Sequence, residues 1–279
     1  MRIDISTNAQ QVPGIIPGQE PLVCDPYKFV YQPMTKVGCK TFKTWMFMLD
    51  VLQEYDFNPE DKIHQQEITR LWDEYTTDHF DKSSSFSIHA MCNENYGMLT
   101  NRKQIDDYHK LVIVRNPWDR IASCYIDKCT QNKQYYKVEM LQQWYMQTEG
   151  ATEETFDEND RFTFIGFLTA LNKVFTNKVV DLYDPHWLPQ TSVMEFYLKE
   201  FDSIIKIENI DSEFNKLKEV LKVPITPSSK TYVDKQIENG IQTKNKTKVG
   251  KYDKLLTPEA NELIFNTFQY DVETLKYEK

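Results

Sequence analysis

The sequence lacks most of the features that would assign it to a class at a glance. None of its five cysteines stands in CxxC or CxH spacing, so no zinc site or other metal centre is expected. Cys24, Cys39, Cys92, Cys124 and Cys129 form an odd set and read as free thiols of a reducing compartment. No apolar run approaches a membrane span, and MRIDISTNAQQ at the amino end does not read as a signal peptide. With Met1 in place, a soluble cytoplasmic protein is expected. Positive charge is also in short supply. A net charge of −9, without a lysine run of any length, argues against a nucleic-acid partner. A GxxxxGK[ST] loop is absent, as are internal repeats and low-complexity tracts. What remains is a 279-residue chain with 40% hydrophobic and 13% aromatic residues, enough for one good core.

The most informative stretch is KLVIVRNPWDRIASCYIDKC, from Lys110 to Cys129. Leu111–Val114 is a continuous apolar, mostly β-branched run, the pattern of a parallel strand buried on both faces. Arg115-Asn116-Pro117 ends it, since proline cannot pair in a sheet and disfavours helix at the residue before it. From Trp118 a helix is predicted, with Ile121, Cys124 and Tyr125 at helical spacing. A strand that delivers an arginine at its carboxyl end and then turns into a helix is where open α/β sheets bind anions. Arg115 supplies a planar fork of donors, and Ser123 a hydroxyl one and a half turns into the helix. The plain alternative is a strand-turn-helix whose arginine pairs with a carboxylate.

A second stretch has the same logic. The predicted strand Lys28–Met34 runs into Thr35-Lys36-Val37-Gly38-Cys39-Lys40-Thr41 and then an apolar helix from Phe42 to Tyr55. Strand, small-residue loop with lysines and a hydroxyl, then helix is an arrangement that cradles phosphates on backbone N–H groups. Together, KVGCKTFK and RNPWDRIASCY resemble the two nucleotide-binding motifs of sulfotransferases that use 3′-phosphoadenosine 5′-phosphosulfate (PAPS), in particular the carbohydrate sulfotransferase branch. His186-Trp187-Leu188-Pro189-Gln190, Ile204–Glu208 and the segment from Tyr252 to Asp271 fit the same branch in order. The resemblance spans about Phe29 to Tyr277.

The expected architecture is α/β: a single-domain parallel sheet flanked by helices, agreeing with the P-loop-like fold of the resembled family. Residues 1–26, rich in proline and glycine, are expected to form an irregular arm with a short strand at Arg2–Ile5, and 27–279 the sulfotransferase domain. Further helices are predicted at Asn58–Thr77 (with Ile63 in its buried stripe), Gln134–Thr148, Phe162–Phe175, Ser212–Leu221 and Pro258–Phe268. Strands are predicted at Ser85–Ala90 and Phe201–Ile207.

The resemblance implies the activity and the site. It implies transfer of a sulfuryl group from PAPS to a carbohydrate or glycan hydroxyl, leaving 3′-phosphoadenosine 5′-phosphate (PAP). Lys36 would contact the 5′-phosphosulfate and steady the bridging oxygen as it leaves. Lys36, Val37, Gly38, Cys39, Lys40 and Thr41 would form the cradle. Lys40 replaces the family's usual hydroxyl residue, so an ammonium stands where a hydroxyl is expected. Arg115 and Ser123 match the 3′-phosphate ligands, while Arg120 is read as supporting the fold. The first-helix carboxylate that some branches use as base is absent, because Thr44 stands there. His89, at the end of the strand predicted before the central one, stands where the resembled uronosyl 2-sulfotransferase branch carries a histidine, and the resemblance makes it the expected catalytic base, with His186 as rival. His186 and Trp187 are otherwise expected on the substrate side, and Glu208 in a structural or substrate-side role. Two other readings stay open: a P-loop-like nucleotide or metabolite kinase, which lacks its loop and an evident magnesium carboxylate, and a catalytically inactive PAP-binding module.

Overall fold

A computed structural model describes residues 21–24, 26–38, single positions between 42 and 67, and residues 106–131, 135–197, 200–224 and 252–278. His89, Cys39, Lys40, Thr41, Thr44 and the strand predicted at 85–90 lie outside the described residues.

Among the described residues four strands form the sheet, in the order β1 (Leu22–Cys24), β2 (Phe29–Gln32), β3 (His109–Val114), β4 (Ser203–Lys206). β2, β3 and β4 run parallel, with Gln32 opposite Val112 and Val114 opposite Lys206. Their carboxyl ends therefore share one edge, and that edge carries the loop after β2, Arg115 after β3 and Glu208 after β4. β1 corrects the expected arm: it pairs antiparallel with β2, Leu22 opposite Tyr31, so the sheet is mixed rather than wholly parallel.

β3 is central and its apolar stretch is fully buried, as a strand covered on both faces requires. β4 is the sheet's edge among the described residues, and Ile204 there is 45% exposed, so the expected buried strand is only half covered.

Six helices of the described residues flank the sheet: α1 (Pro117–Tyr125), α2 (Tyr136–Glu149), α3 (Phe164–Thr176), α4 (Gln190–Tyr197), α5 (Ile210–Leu221) and α6 (Pro258–Thr274). α1 starts where it should, because Asn116 Oδ1 accepts from Trp118 N at 2.9 Å and Pro117 occupies the first turn. Instead of ending at Tyr125 it widens into a π segment, Ile126–Gln131.

The core is aromatic. Phe29 stacks on Trp45 (5.5 Å between centroids), and Phe42, in the helical stretch after the loop, lies 5.0 Å from Phe214 of α5. Around α3, Phe167 meets Trp187 edge-on at 5.9 Å and Phe175 meets Phe268 of α6 at 6.1 Å. Ile63, expected in a buried stripe, is 74% exposed; its backbone and that of His64 donate to Asp61, which caps that helical stretch.

Candidate active site

The site forms where the loop after β2, the end of β3, the π segment and the 184–190 stretch meet. Residues 35–38 make a tight turn in which Lys36 (φ 65°) and Gly38 (φ 83°) both adopt left-handed backbone. The positive φ favours glycine at position 38, and a β-carbon there would also press on Ile207 Cδ1 at 3.0 Å. Lys36 in that conformation is a locally strained residue held by its surroundings.

Two arginines do the holding. Arg115 donates from a terminal guanidinium nitrogen to the Lys36 carbonyl (3.2 Å), while its other terminal nitrogen lies 3.9 Å from Asp119 and its plane is 5.8 Å from the Tyr252 ring. Arg120 is 2% exposed and donates to three carbonyls, Thr35 (3.2 Å), Pro185 (3.0 Å) and Leu188 (2.8 Å). It thereby ties the loop and the 185–188 stretch to α1, the supporting role read from the sequence. Thr35 closes the same junction by donating its hydroxyl to the Pro185 carbonyl.

The backbone of Arg115 is bracketed by Gln190, whose amide oxygen accepts Arg115 N–H (2.9 Å) and whose amide nitrogen donates to Arg115 C=O (2.8 Å). Gln190 is itself placed by Asp271 of α6, which accepts from Gln190 N (2.7 Å), Thr191 N (2.9 Å) and the Thr191 hydroxyl (2.6 Å). Asp271 thus caps the first turn of α4 from another helix. Glu208 accepts from Asn116 N at 2.6 Å and from the Tyr277 hydroxyl at 3.1 Å, which ties the turn after β3 to the residues just after the chain's last described helix.

Beside the loop stands a group that the sequence reading missed. Asp184, 4% exposed at its side chain, accepts from the Tyr135 hydroxyl (2.6 Å) and pairs with His186 Nδ1 (2.6 Å). With Asp184 as acceptor the proton belongs on Nδ1, which leaves Nε2 with its lone pair. Burial pushes the His186 pKa down; Asp184 pulls it back up, and nearby Lys128 and Lys36 push it down again, for a net fall. His186 is thus neutral at neutral pH, with an oriented base nitrogen, close enough to Lys36 and Lys128 to feel their charge. Burial would raise the Asp184 carboxyl, but its bonds to His186 and Tyr135 bring it below the ordinary value.

Lys36 Nζ forms an ion pair with Asp127 in the π segment, and Lys128 Nζ lies 3.4 Å from the same carboxylate and 4.4 Å from the Tyr135 ring centroid. Asp127, Lys128, Asp184 and Tyr135 carried no recognisable motif of their own; the only local signal was YIDKC placed directly after the arginine-bearing strand-turn-helix. Ser123 lies on α1 one turn beyond Asp119 and is partly exposed.

Trp187 is a correction. It has no exposed surface, its indole N–H donates to Leu182 C=O at 3.1 Å, and Phe167 and Tyr135 pack edge-on against it. It anchors the stretch that presents His186 and offers no face on which a sugar can stack. Cys24, Cys124 and Cys129 are buried, Cys124 and Cys129 as free thiols, and burial pushes the Cys124 thiol up to about 12, far from reactive. Among the described residues no group of acidic, His or Cys side chains is placed to hold a metal ion, and no helix is long and apolar enough to cross a membrane.

The family model described as "Sulfotransferase family" matches residues 19–278. The human (Homo sapiens) protein named carbohydrate sulfotransferase 9 is 22% identical over 258 residues, covering 91% of this chain. The chain spans about half of that relative, 52% of its length. No solved structure matches the chain. The α/β sheet, the order of its motifs and the family match over nearly all of its length agree: the chain belongs to the sulfotransferase family.

Proposed function

We propose that the protein transfers a sulfuryl group from PAPS to a hydroxyl of a carbohydrate or glycan acceptor, releasing PAP. The observation that carries this reading is one junction. Arg115 touches the Lys36 carbonyl, Lys36 and Lys128 both pair with Asp127, and the loop is bonded through Thr35 to the residue before His186. Cationic donors therefore stand near an oriented base.

The residues fit a polyanionic nucleotide. Lys36, the backbone of Val37 and Gly38, and from the sequence motif Cys39, Lys40 and Thr41 are assigned to the 5′ side, and Arg115 and Ser123 to the 3′-phosphate. Bound PAPS would supply an activated sulfuryl group on a phosphate leaving group. Charge neutralisation by fixed cations is what a loose sulfuryl-like transition state needs from the protein. We assign the acceptor's proton to His186 Nε2, held by Asp184 through Nδ1 and with Tyr135 completing the carboxylate's shell. His89 remains the competitor that the experiment must exclude. The carbohydrate acceptor is supported by the name of the human relative and by the motifs that resemble that branch.

The test is a ligand panel followed by turnover. PAP should raise the melting temperature strongly and ATP only weakly, because binding to the folded state alone stabilises by mass action. Arg115→Ala should remove most of the PAP shift. Incubation with PAPS and a panel of oligosaccharides should then yield a sulfated product by mass spectrometry. An ATP shift as large as that of PAP would defeat the donor assignment. PAP binding without turnover on any acceptor would favour a catalytically inactive PAP-binding module.

A further inference from the structure

We propose that Asp127 is a resident counter-anion of the donor site: its carboxylate holds Lys36 when no donor is bound and must surrender it when a phosphate or phosphosulfate group enters. The proposal rests on Lys36 being a donor ligand. It adds a residue that sets how tightly the donor and its product are held.

Three observations carry it. The first is the ion pair itself, in which Asp127 takes both Lys36 and, at 3.4 Å, Lys128. The ammonium side chains are shielded, 15% and 13% exposed, while the carboxylate is 40% exposed. The anion is the more exposed partner and the two lysines are the more shielded ones.

The second is that the loop does not depend on this pair for its shape. The Lys36 carbonyl is held by Arg115, the Thr35 carbonyl by Arg120 and the Thr35 hydroxyl by Pro185. Only the ammonium end of Lys36 answers to Asp127. The third is that Asp127 sits in the π segment, a wide turn of the kind found inside helices at functional sites, directly after the helix that carries Ser123. Burial would raise its carboxyl, but Lys36 and then Lys128 hold it below the ordinary value, so it is an anion at neutral pH. It therefore competes with any ligand phosphate for the same ammonium. The consequence is a donor site kept from binding PAP too tightly, with Lys36 returning to Asp127 as product leaves.

The test is calorimetric titration of the full chain with PAP and with inorganic pyrophosphate, comparing wild type, Asp127→Asn, Lys36→Met and the double variant. Asp127→Asn should bind both probes roughly three- to tenfold more tightly, the worth of a partly exposed ion pair no longer in competition. The gain should vanish when Lys36→Met is also present. With PAPS, KM should fall and kcat should not rise. A merely structural carboxylate predicts the reverse: weaker binding and a lower melting temperature.

Should Asp127→Asn fail to fold, the wild-type chain still decides. The Asp127 carboxyl 13C titration should move up toward the ordinary aspartate range on saturation with pyrophosphate, and an unmoved titration overturns the proposal. Equal or weaker binding by a folded Asp127→Asn, or a gain that survives Lys36→Met, overturns it as well. Pyrophosphate binding with the expected gain but no PAP binding would remove the nucleotide reading and leave the counter-anion standing. Binding of neither probe to any variant overturns both.

Discussion

His186 shows how a side chain becomes a base by being placed. An exposed histidine is half protonated near its ordinary 6.5 and can carry its proton on either ring nitrogen. Here Asp184 takes Nδ1, and burial with Lys128 and Lys36 nearby lowers the pKa. His186→Asn should cut turnover by roughly a hundredfold or more while leaving PAP affinity near wild type, the usual worth of a positioned base. The sign of the pH dependence follows from the neutral form being the active one. The rate should fall as pH drops through a value below 6.5, and that acid limb should disappear in the variant. His89→Ala with wild-type turnover would complete the assignment; a dead His89→Ala beside an active His186→Asn would reverse it. Lys36→Ala should lower kcat far more than PAP affinity, since its proposed contact strengthens as the leaving oxygen gains charge.

At the scale of elements, α1 and α3 are held by close approaches that tolerate little change. A β-carbon at Gly166 would lie 2.1 Å from the Thr155 carbonyl oxygen, which is backbone and cannot swing aside. Gly166→Ala gains about 1 kcal/mol of helix propensity, yet the forced shift of α3 costs roughly 1–3 kcal/mol as overpacking does. The prediction is a net loss or no gain in the urea midpoint, against the usual rule for an interior helix glycine. Arg120 is the hinge of the other junction. Arg120→Met keeps much of the volume but takes the Arg120 donor from the Thr35 and Leu188 carbonyls and leaves the Pro185 carbonyl with the Thr35 hydroxyl. A loss of about 3 kcal/mol or more in denaturant unfolding is expected from stranded buried acceptors, together with loss of PAP binding as the 35–38 turn relaxes.

Across the whole molecule, the carboxyl-terminal helix reaches the donor site through a relay. Asp271 on α6 fixes the start of α4, Gln190 at that start brackets the Arg115 backbone, and the Arg115 side chain holds the Lys36 carbonyl. Asp271→Asn keeps one oxygen but turns an amide nitrogen toward a set of three donors. A destabilisation of about 1–3 kcal/mol is expected for the unmatched buried donor. PAP affinity should fall too, although Asp271 is nowhere assigned to the ligand. If the melting temperature drops and PAP affinity at a temperature well below it does not, the relay is structural alone.

The sequence by itself determined the two strand-loop-helix units, and with them Lys36 and Arg115 at one sheet edge. Those features rest on short-range rules: the apolar run Leu111–Val114, the break at Pro117, the small-residue turn around Gly38. Parallel pairing then brings the strand ends together for any such sequence. The tertiary structure alone decided the chemistry between them. Tyr135 meets Asp184 across 49 positions and Lys36 meets Asp127 across 91, and no local pattern encodes either meeting. In the sequence Trp187 could be a sugar platform, although aromatics in such number are more often core, and it is the packing of Phe167 and Tyr135 that places it in the core. The three residues of β1 are too few to show a period, and only their pairing with β2 makes them a strand. Strand runs, breaks and turns like those around Leu111–Pro117 are set largely by neighbours in sequence. Which side chains share a charge or a proton is set by how helices pack, and that is chosen by the whole core at once.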